Sequence, residues 1–451
     1  MLMKEKSTLA QWLAYVESIH EQPMVLGLER MREMIERLGI RFDCPVITVA
    51  GTNGKGSTCT FLEAICREAG MHTALHTSPH ILRFNERALI DGREASDEAL
   101  VEAFRTVEEK RAGLKLTYFE FTGLAILLLF MRSRPDVVIL EIGLGGRLDA
   151  MNAIDSDAAV IATVGLDHTA ILGDTREAIG FEKACVYRAG APAVCADLDV
   201  PESVRRHAAE IGADFMAAGR DFEVRRHADG RFDFEWRGAD ALRLENLPQP
   251  GLAGENQYQN LAGALAVLCA LRARCPERFP IDRAALARGI ASARIRARFE
   301  RISSDPEIIL DVGHNPQAAA VLAENLRASK RPGTHTLAVF GMFKDKDRAG
   351  VVSLVRSEID EWFVAGLPGP RGADLENIKA ALLSGGVDPA LVHGCPSIAK
   401  ALADARAHAA NACRSRASGS SADRIIVFGS FVTVTEALEA FEAAHREAPK
   451  A

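Results

Sequence analysis

The sequence has no Cys-x-x-Cys pair, no apolar run long enough for a bilayer and no excess of basic residues. Its nine cysteines are scattered, which excludes a zinc ribbon and a disulfide framework and leaves buried thiols. The longest apolar run, Leu124–Met131, falls far short of the roughly 20 residues that a spanning helix needs. Met1–Thr8 carries three charged residues and no signal-peptide core, so a cytoplasmic protein away from membranes is expected. A net charge of −7 gives no footprint for nucleic acid, although a local cluster of cations can still hold a small anion. What remains is 451 residues of ordinary globular composition, 48% hydrophobic and 25% charged, with room for two or three domains.

The chain is organised around Thr48-Val-Ala-Gly-Thr-Asn-Gly-Lys-Gly-Ser-Thr58. An apolar run, Pro45–Val49, precedes it. Phe61, Leu62, Ile65, Cys66 and Ala69 follow at helical spacing, with Gly70 as the stop. Strand, glycine loop and helix in that order make an anion site. Loop amides turn toward a phosphate, the helix N-terminus adds positive charge, and Lys55 reaches the outer phosphates. The usual phosphate loop has Ser or Thr directly after its Lys; here Gly56 intervenes before Ser57, and Val49 stands where the first Gly belongs. Further on, Asp136-Val-Val-Ile-Leu-Glu141 reads as a buried strand ending in a carboxylate and a glycine-rich loop, Ile142–Asp149. Ligands gather at the carboxyl ends of parallel strands, so Glu141 is a magnesium candidate on physical grounds.

Gly51-Thr-Asn-Gly-Lys-Gly-Ser57 resembles the loop of the folylpolyglutamate and dihydrofolate synthases, relatives of the peptidoglycan (Mur) ligases. Six or more separated motifs follow in that family's order. The resemblance implies an α/β protein with two domains. Residues 1–296 would be a phosphate-loop ATPase domain with a mostly parallel sheet and a small antiparallel accessory. Residues 297–451 would be a Rossmann-like α/β domain, and Ala291–Arg298 reads as the linker. Strands at Ile308–Leu310, Thr336–Phe340, Trp362–Ala365 and Ile425–Phe428 alternate with helical stretches, as an open parallel sheet requires.

The resemblance also assigns residues. Thr52, Asn53, Gly54, Lys55, Gly56 and Ser57 would hold ATP, with Asn260, Arg298 and Asp311. Magnesium would be held by Ser78, Glu141 and His168. Lys183, in Glu182-Lys-Ala184, would carry a carbamate that ligates a second magnesium; a monovalent cation is also allowed. Leu26-Gly27-Leu28-Glu29, Thr117-Tyr118-Phe119-Glu120 and Leu148-Asp149-Ala150 would line the pterin-substrate pocket. Ser430 is a further substrate contact, and His314 would lie near the acid substrate or glutamate. By composition and spacing alone, Ser78-Pro79 is an ordinary turn, Lys183 a solvated helix residue and Leu26–Glu29 a helix start. The family's Gly-Arg-Phe is Ala297-Arg298-Phe299 here, and Gly313 stands where an Ala is usual.

Local patterns add a helix at Leu9–Val16, another at Met24–Leu38 and an apolar helix at Thr122–Met131. A hairpin is expected where Phe232, Phe234 and Trp236 alternate after Asp229-Gly230, and a polar loop at Ala412–Asp423. The activity implied is ATP-dependent addition of L-glutamate to dihydropteroate and to reduced folates through an acyl phosphate, by a monomer. Three other readings stay open. One is a folylpolyglutamate synthase alone. Another is a peptidoglycan-type ligase, although only about 45 residues precede the glycine loop, too few for that class's extra domain. The third is a phosphate-loop switch protein, which leaves the second α/β domain without a task.

Overall fold

The computed structural model describes residues 7–20, 22, 25–415 and 423–447. The chain divides into two units. One takes Met1–Gly251 with Gln257–Arg294, the other Leu252–Asn256 with Ile295–Ala451.

The first unit is built on eight strands: β1 (Val46–Ala50), β2 (Thr73–His76), β3 (Ala88–Ile90), β4 (Arg93–Glu94), β5 (Val137–Glu141), β6 (Ala158–Ile161), β7 (Pro192–Cys195) and β8 (Asp214–Ala217). Their order is β4-β3-β2-β5-β1-β6-β7-β8. Only the β2–β3 and β3–β4 pairings are antiparallel; the others run parallel. Every residue of β1 and β5 is buried, the mark of a parallel sheet covered on both faces. After β1 the chain crosses toward β2, and after β6 toward β7. The strand order therefore switches direction between β1 and β6, which is where open sheets leave a crevice for ligands.

The expected accessory hairpin is a three-stranded antiparallel sheet, β9 (Phe222–Arg226), β10 (Phe232–Trp236) and β11 (Leu242–Leu247), with β10 central. Phe232, Phe234 and Trp236 all point into its core, each at most 2% exposed, as the alternation predicted. The helix expected from Met24 begins instead at Glu29 and runs to Leu38. Gly27 has φ +147°, outside helical backbone, so the chain cannot wind earlier; Met24 itself lies outside the described residues.

The second unit's sheet has the order β12-β13-β17-β14-β15-β16, with β12 (Glu300–Ser304), β13 (Glu307–Asp311), β14 (Thr336–Phe340), β15 (Glu361–Val364), β16 (Val392–Gly394) and β17 (Arg424–Phe428). All pairings but β12–β13 are parallel. Ile309, Leu322, Phe340, Trp362 and Phe428 are central to its core. The polar loop expected at Ala412–Asp423 starts later, because the helix Ile398–Ser415 continues through its first four residues. Positions 416–422 lie outside the described residues. Among the described residues no helix is long and apolar enough to cross a membrane.

Candidate active site

The glycine loop joins β1 to the helix Lys55–Glu68, as the sequence order requires. Gly54 caps that helix at φ +84°, a left-handed conformation that glycine adopts without a Cβ penalty. Space forbids a side chain there as well, since a Cβ would come within 2.2 Å of Asn260 Oδ1. Asn260, 3% exposed, thus sits against the loop, and its Nδ2 donates to Gln257 Oε1 at 3.0 Å. Lys55 Nζ donates back to the Gly51 carbonyl at 3.1 Å, curling over the loop it belongs to.

The loop is tied sideways to the residues after β6. Thr52 N donates to the Thr163 carbonyl at 2.7 Å, and Thr52 Oγ1 donates to the Gly165 carbonyl at 3.0 Å. Asn53 N donates to Thr163 Oγ1 at 3.2 Å, and that hydroxyl donates to the Asn53 carbonyl at 3.1 Å. Asp167 and His168 follow directly. His168 has φ +51° and precedes the short helix Thr169–Leu172. Thr163 and Gln257 were missed in the sequence. Thr163 stands just past a strand's carboxyl end and Gln257 one helical turn before Asn260, and either position could have flagged them.

On the other flank of β1, the buried Glu141 ends β5, and its Oε2 accepts from Ser78 N at 2.9 Å. Two of the expected magnesium ligands are therefore together. No group of three or more His, Cys, Asp or Glu among the described residues could hold a metal by itself.

The loop after Glu141 lies on the helix Arg176–Ala184. A Cβ on Gly146 would meet the Glu182 carbonyl at 2.6 Å, and Arg147 N donates to that carbonyl at 2.9 Å. Lys183, 3% exposed, is consequently buried rather than solvated. Burial first, then the charge of Lys55, lowers its pKa to about 7 against the pull of Asp167, Asp149 and Glu182. Asp149 is also enclosed. Its oxygens accept from Leu144 N and Met151 N at 2.9 Å, yet burial holds its pKa up at about 6. Leu148 is half-buried and Ala150 buried beside it.

The Thr117–Glu120 stretch divides. Thr117 and Glu120 form the capping box of the helix Tyr118–Ser133. Glu120 is also clamped by Arg30, whose Nη2 lies 2.7 Å away. These two polar groups are committed to structure, while Tyr118 and Phe119 are only partly buried. Phe119 lies against Gly143 and 6.1 Å from the ring of His76. Leu26 is exposed at 42% and Leu28 is buried.

In the second unit Asp311 closes β13. Its oxygens accept from Phe299 N at 3.0 Å and Gly313 N at 2.7 Å, and its pKa is raised by burial against the charge of Arg298. Ala297 has φ +57°, which accounts for glycine being usual at that place. Arg298 stacks on Phe431, its Cζ 5.4 Å from the ring centre, and the His314 ring lies 6.3 Å from the same ring. Phe431, the last residue of the strand-end loop Phe428-Gly-Ser-Phe431 that the sequence also matches to the family, is their shared surface. Ser430 is 1% exposed and caps the following helix, accepting from Thr433 N at 3.0 Å.

Residues 49–268 match the Mur ligase middle domain, and residues 297–431 the Mur ligase, glutamate ligase domain. A dihydrofolate synthase/folylpolyglutamate synthase of Escherichia coli is 39% identical over 97% of this chain and 96% of its own. The chain belongs to the dihydrofolate synthase/folylpolyglutamate synthase family. Solved relatives agree along their length. The E. coli FolC in complex with DHPP and ADP superimposes with a TM-score of 0.88 at 38% identity, covering 98% of this chain and all of that one. A bifunctional folylpolyglutamate synthase/dihydrofolate synthase with Mn, AMPPNP and L-glutamate bound gives 0.86 at 37% identity, with the same coverage. The phosphate loop, the Glu141 loop and the Lys183 helix therefore sit in a Mur-ligase fold.

Proposed function

We propose that this chain is an ATP-dependent ligase that joins L-glutamate to dihydropteroate and to the γ-carboxyl of reduced folates. The observation that carries the reading is the glycine loop with Lys55 at a helix N-terminus, on the strand that pairs with β5, whose terminal Glu141 accepts from Ser78 N at 2.9 Å.

A carboxylate resists attack by an amine because its own charge repels electrons. In the proposed reaction an oxygen of the acid attacks the γ-phosphorus of ATP, the bond to the β-phosphate oxygen breaks, and ADP leaves. The resulting acyl phosphate is open at its carbonyl carbon. The glutamate amine attacks there, the C–O bond to phosphate breaks, and the nitrogen sheds a proton to water. Two anions must first meet, so fixed positive groups do most of the work. The loop amides of Thr52–Ser57 and the helix N-terminus would cradle the phosphates, with Lys55 over the outer ones and Asn260 bracing the loop. Ser78, Glu141 and His168 would hold magnesium, which when bound draws charge from the phosphate oxygens. Lys183 near neutrality is suited to react with carbon dioxide through its uncharged amine, and the carbamate would offer two oxygens to a second ion. In the second unit we assign Arg298 and Asp311 to nucleotide and His314 to L-glutamate. The free thiols fit a reducing compartment, and we place the enzyme in the cytoplasm as a monomer.

Phosphate release from ATP and Mg²⁺ with L-glutamate, measured with dihydropteroate and with a reduced folate monoglutamate, tests this. Glutamate-dependent turnover with both is expected. Turnover with the folate alone would leave a folylpolyglutamate synthase. Turnover with neither would overturn the assignment.

A further inference from the structure

Arg87 ends the single turn Phe84–Arg87 that leads into β3 and is 9% exposed. Its carbonyl accepts from His76 Nδ1 at 2.9 Å and from Thr77 N at 3.4 Å, which fastens it to the end of β2 that carries Ser78. Its Nε donates to His80 Nδ1 at 2.8 Å. Its Cζ lies 5.6 Å from the Phe84 ring centre and 5.8 Å from that of Tyr118. The planar group is thus oriented by a ring nitrogen and two aromatic rings.

What it lacks is a counter-ion. Arg87 makes no ion pair among the described residues. The neighbouring carboxylates are engaged elsewhere: Glu86 accepts from the amides of Ile81, Leu82 and Arg83, and Glu141 from that of Ser78. Burying a guanidinium without an anion costs free energy that a packed core alone does not repay. With Nε taken by His80, the two terminal nitrogens have no acceptor among the described residues, and that fork matches the two oxygens of a carboxylate. It stands beside Tyr118, and its backbone is bonded to His76 and Thr77, directly before Ser78, whose amide donates to Glu141.

We propose that Arg87 binds a carboxylate of the acid substrate, with His80 and Tyr118 holding its guanidinium in place. This rests on the ligase reading above. Dihydropteroate has one carboxylate and a folate monoglutamate has two, so either the shared carboxylate or the additional one could be the partner.

The test is equilibrium binding without ATP, followed by pterin fluorescence, for wild type, Arg87→Met and Arg87→Lys. The ligands are dihydropteroate, a reduced folate monoglutamate and an uncharged pterin without a carboxylate. Arg87→Met is expected to weaken the acids by roughly tenfold or more, the worth of a charged hydrogen bond, and to leave the uncharged pterin unchanged. Loss with both acids identifies the shared carboxylate; loss with the folate alone identifies the extra one. Arg87→Lys keeps the charge without the fork and should fall between, which serves if the Met variant melts early. Wild-type affinity for both acids in Arg87→Met, or equal loss of the uncharged pterin, would overturn the proposal while leaving the ligase reading intact. A wild type that binds neither acid would overturn both.

Discussion

Asn53 and Thr163 hold each other twice. The Asn53 amide donates to the Thr163 hydroxyl at 3.2 Å, and that hydroxyl donates to the Asn53 carbonyl at 3.1 Å. One side chain therefore fixes the middle of the glycine loop relative to the segment that carries His168. Thr163→Val removes both bonds with little change in shape, while the Thr52–Gly165 bond remains. The expected result is a KM for ATP raised about tenfold with a smaller fall in kcat, since two hydrogen bonds of about 1 kcal/mol each are lost. Thr163→Ser should behave as wild type. A Val variant with unchanged KM would show that the loop holds its form unaided.

Gly54 is sensitive for a different reason. At φ +84° any side chain is strained, and its Cβ would collide with Asn260 Oδ1. Gly54→Ala is expected to abolish ligation and to lower the melting temperature by a few degrees. Adding Asn260→Ala should relieve the collision but not the backbone strain, so the double variant should regain stability without activity. Full recovery of activity in the double variant would mean that contact with Asn260, not loop geometry, is what matters.

How much of this was legible in the sequence follows from range. The glycine loop, β1 and the helix after Lys55 are contiguous, and periodicity and glycine spacing report them directly. Burial of Lys183 was not legible, because the Gly146 loop that covers it arrives from a distant place in the chain. Thr163 failed to stand out for the same reason: its partner is 110 residues away. The capping role of Thr117 and Glu120 has a local signal, Thr-x-x-Glu before an apolar run, beside the pocket role that the family resemblance implies for the same stretch. The helix start at Glu29 depended on the backbone of Gly27, which no pattern of apolar residues records.

That capping box can be separated from a substrate role. Glu120 accepts from Thr117 N at 2.8 Å and from Arg30 at 2.7 Å while 3% exposed. Glu120→Ala leaves Arg30 without its carboxylate and the helix without half its cap, a loss of about 3 kcal/mol. A clear drop in melting temperature is expected, with the KM for either acid little changed in the protein that remains folded. A stable variant with a raised KM would return Glu120 to the pocket.

Lys183 ties stability to pH with a definite sign. Its folded pKa of about 7 lies below the ordinary 10.5, so between those values the unfolded chain binds more protons and stability rises with pH. Below about pH 7 the buried lysine must be charged in both states and its full cost is felt. In carbon-dioxide-free buffer Lys183→Met should therefore melt higher than wild type near pH 7, and the difference should shrink as pH climbs toward 10. The same depressed pKa leaves much of the amine uncharged at neutrality, which is the form that reacts with carbon dioxide. At fixed dissolved ¹³C-labelled carbon dioxide, a carbamate resonance should grow between pH 6 and 8 in wild type and be absent from Lys183→Met. If the group required is an anion, Lys183→Ala should recover part of its turnover with added acetate. A wild type that shows no carbamate at any pH, and an alanine variant deaf to acetate, would assign Lys183 a cationic role beside Lys55 and remove the second metal from the mechanism.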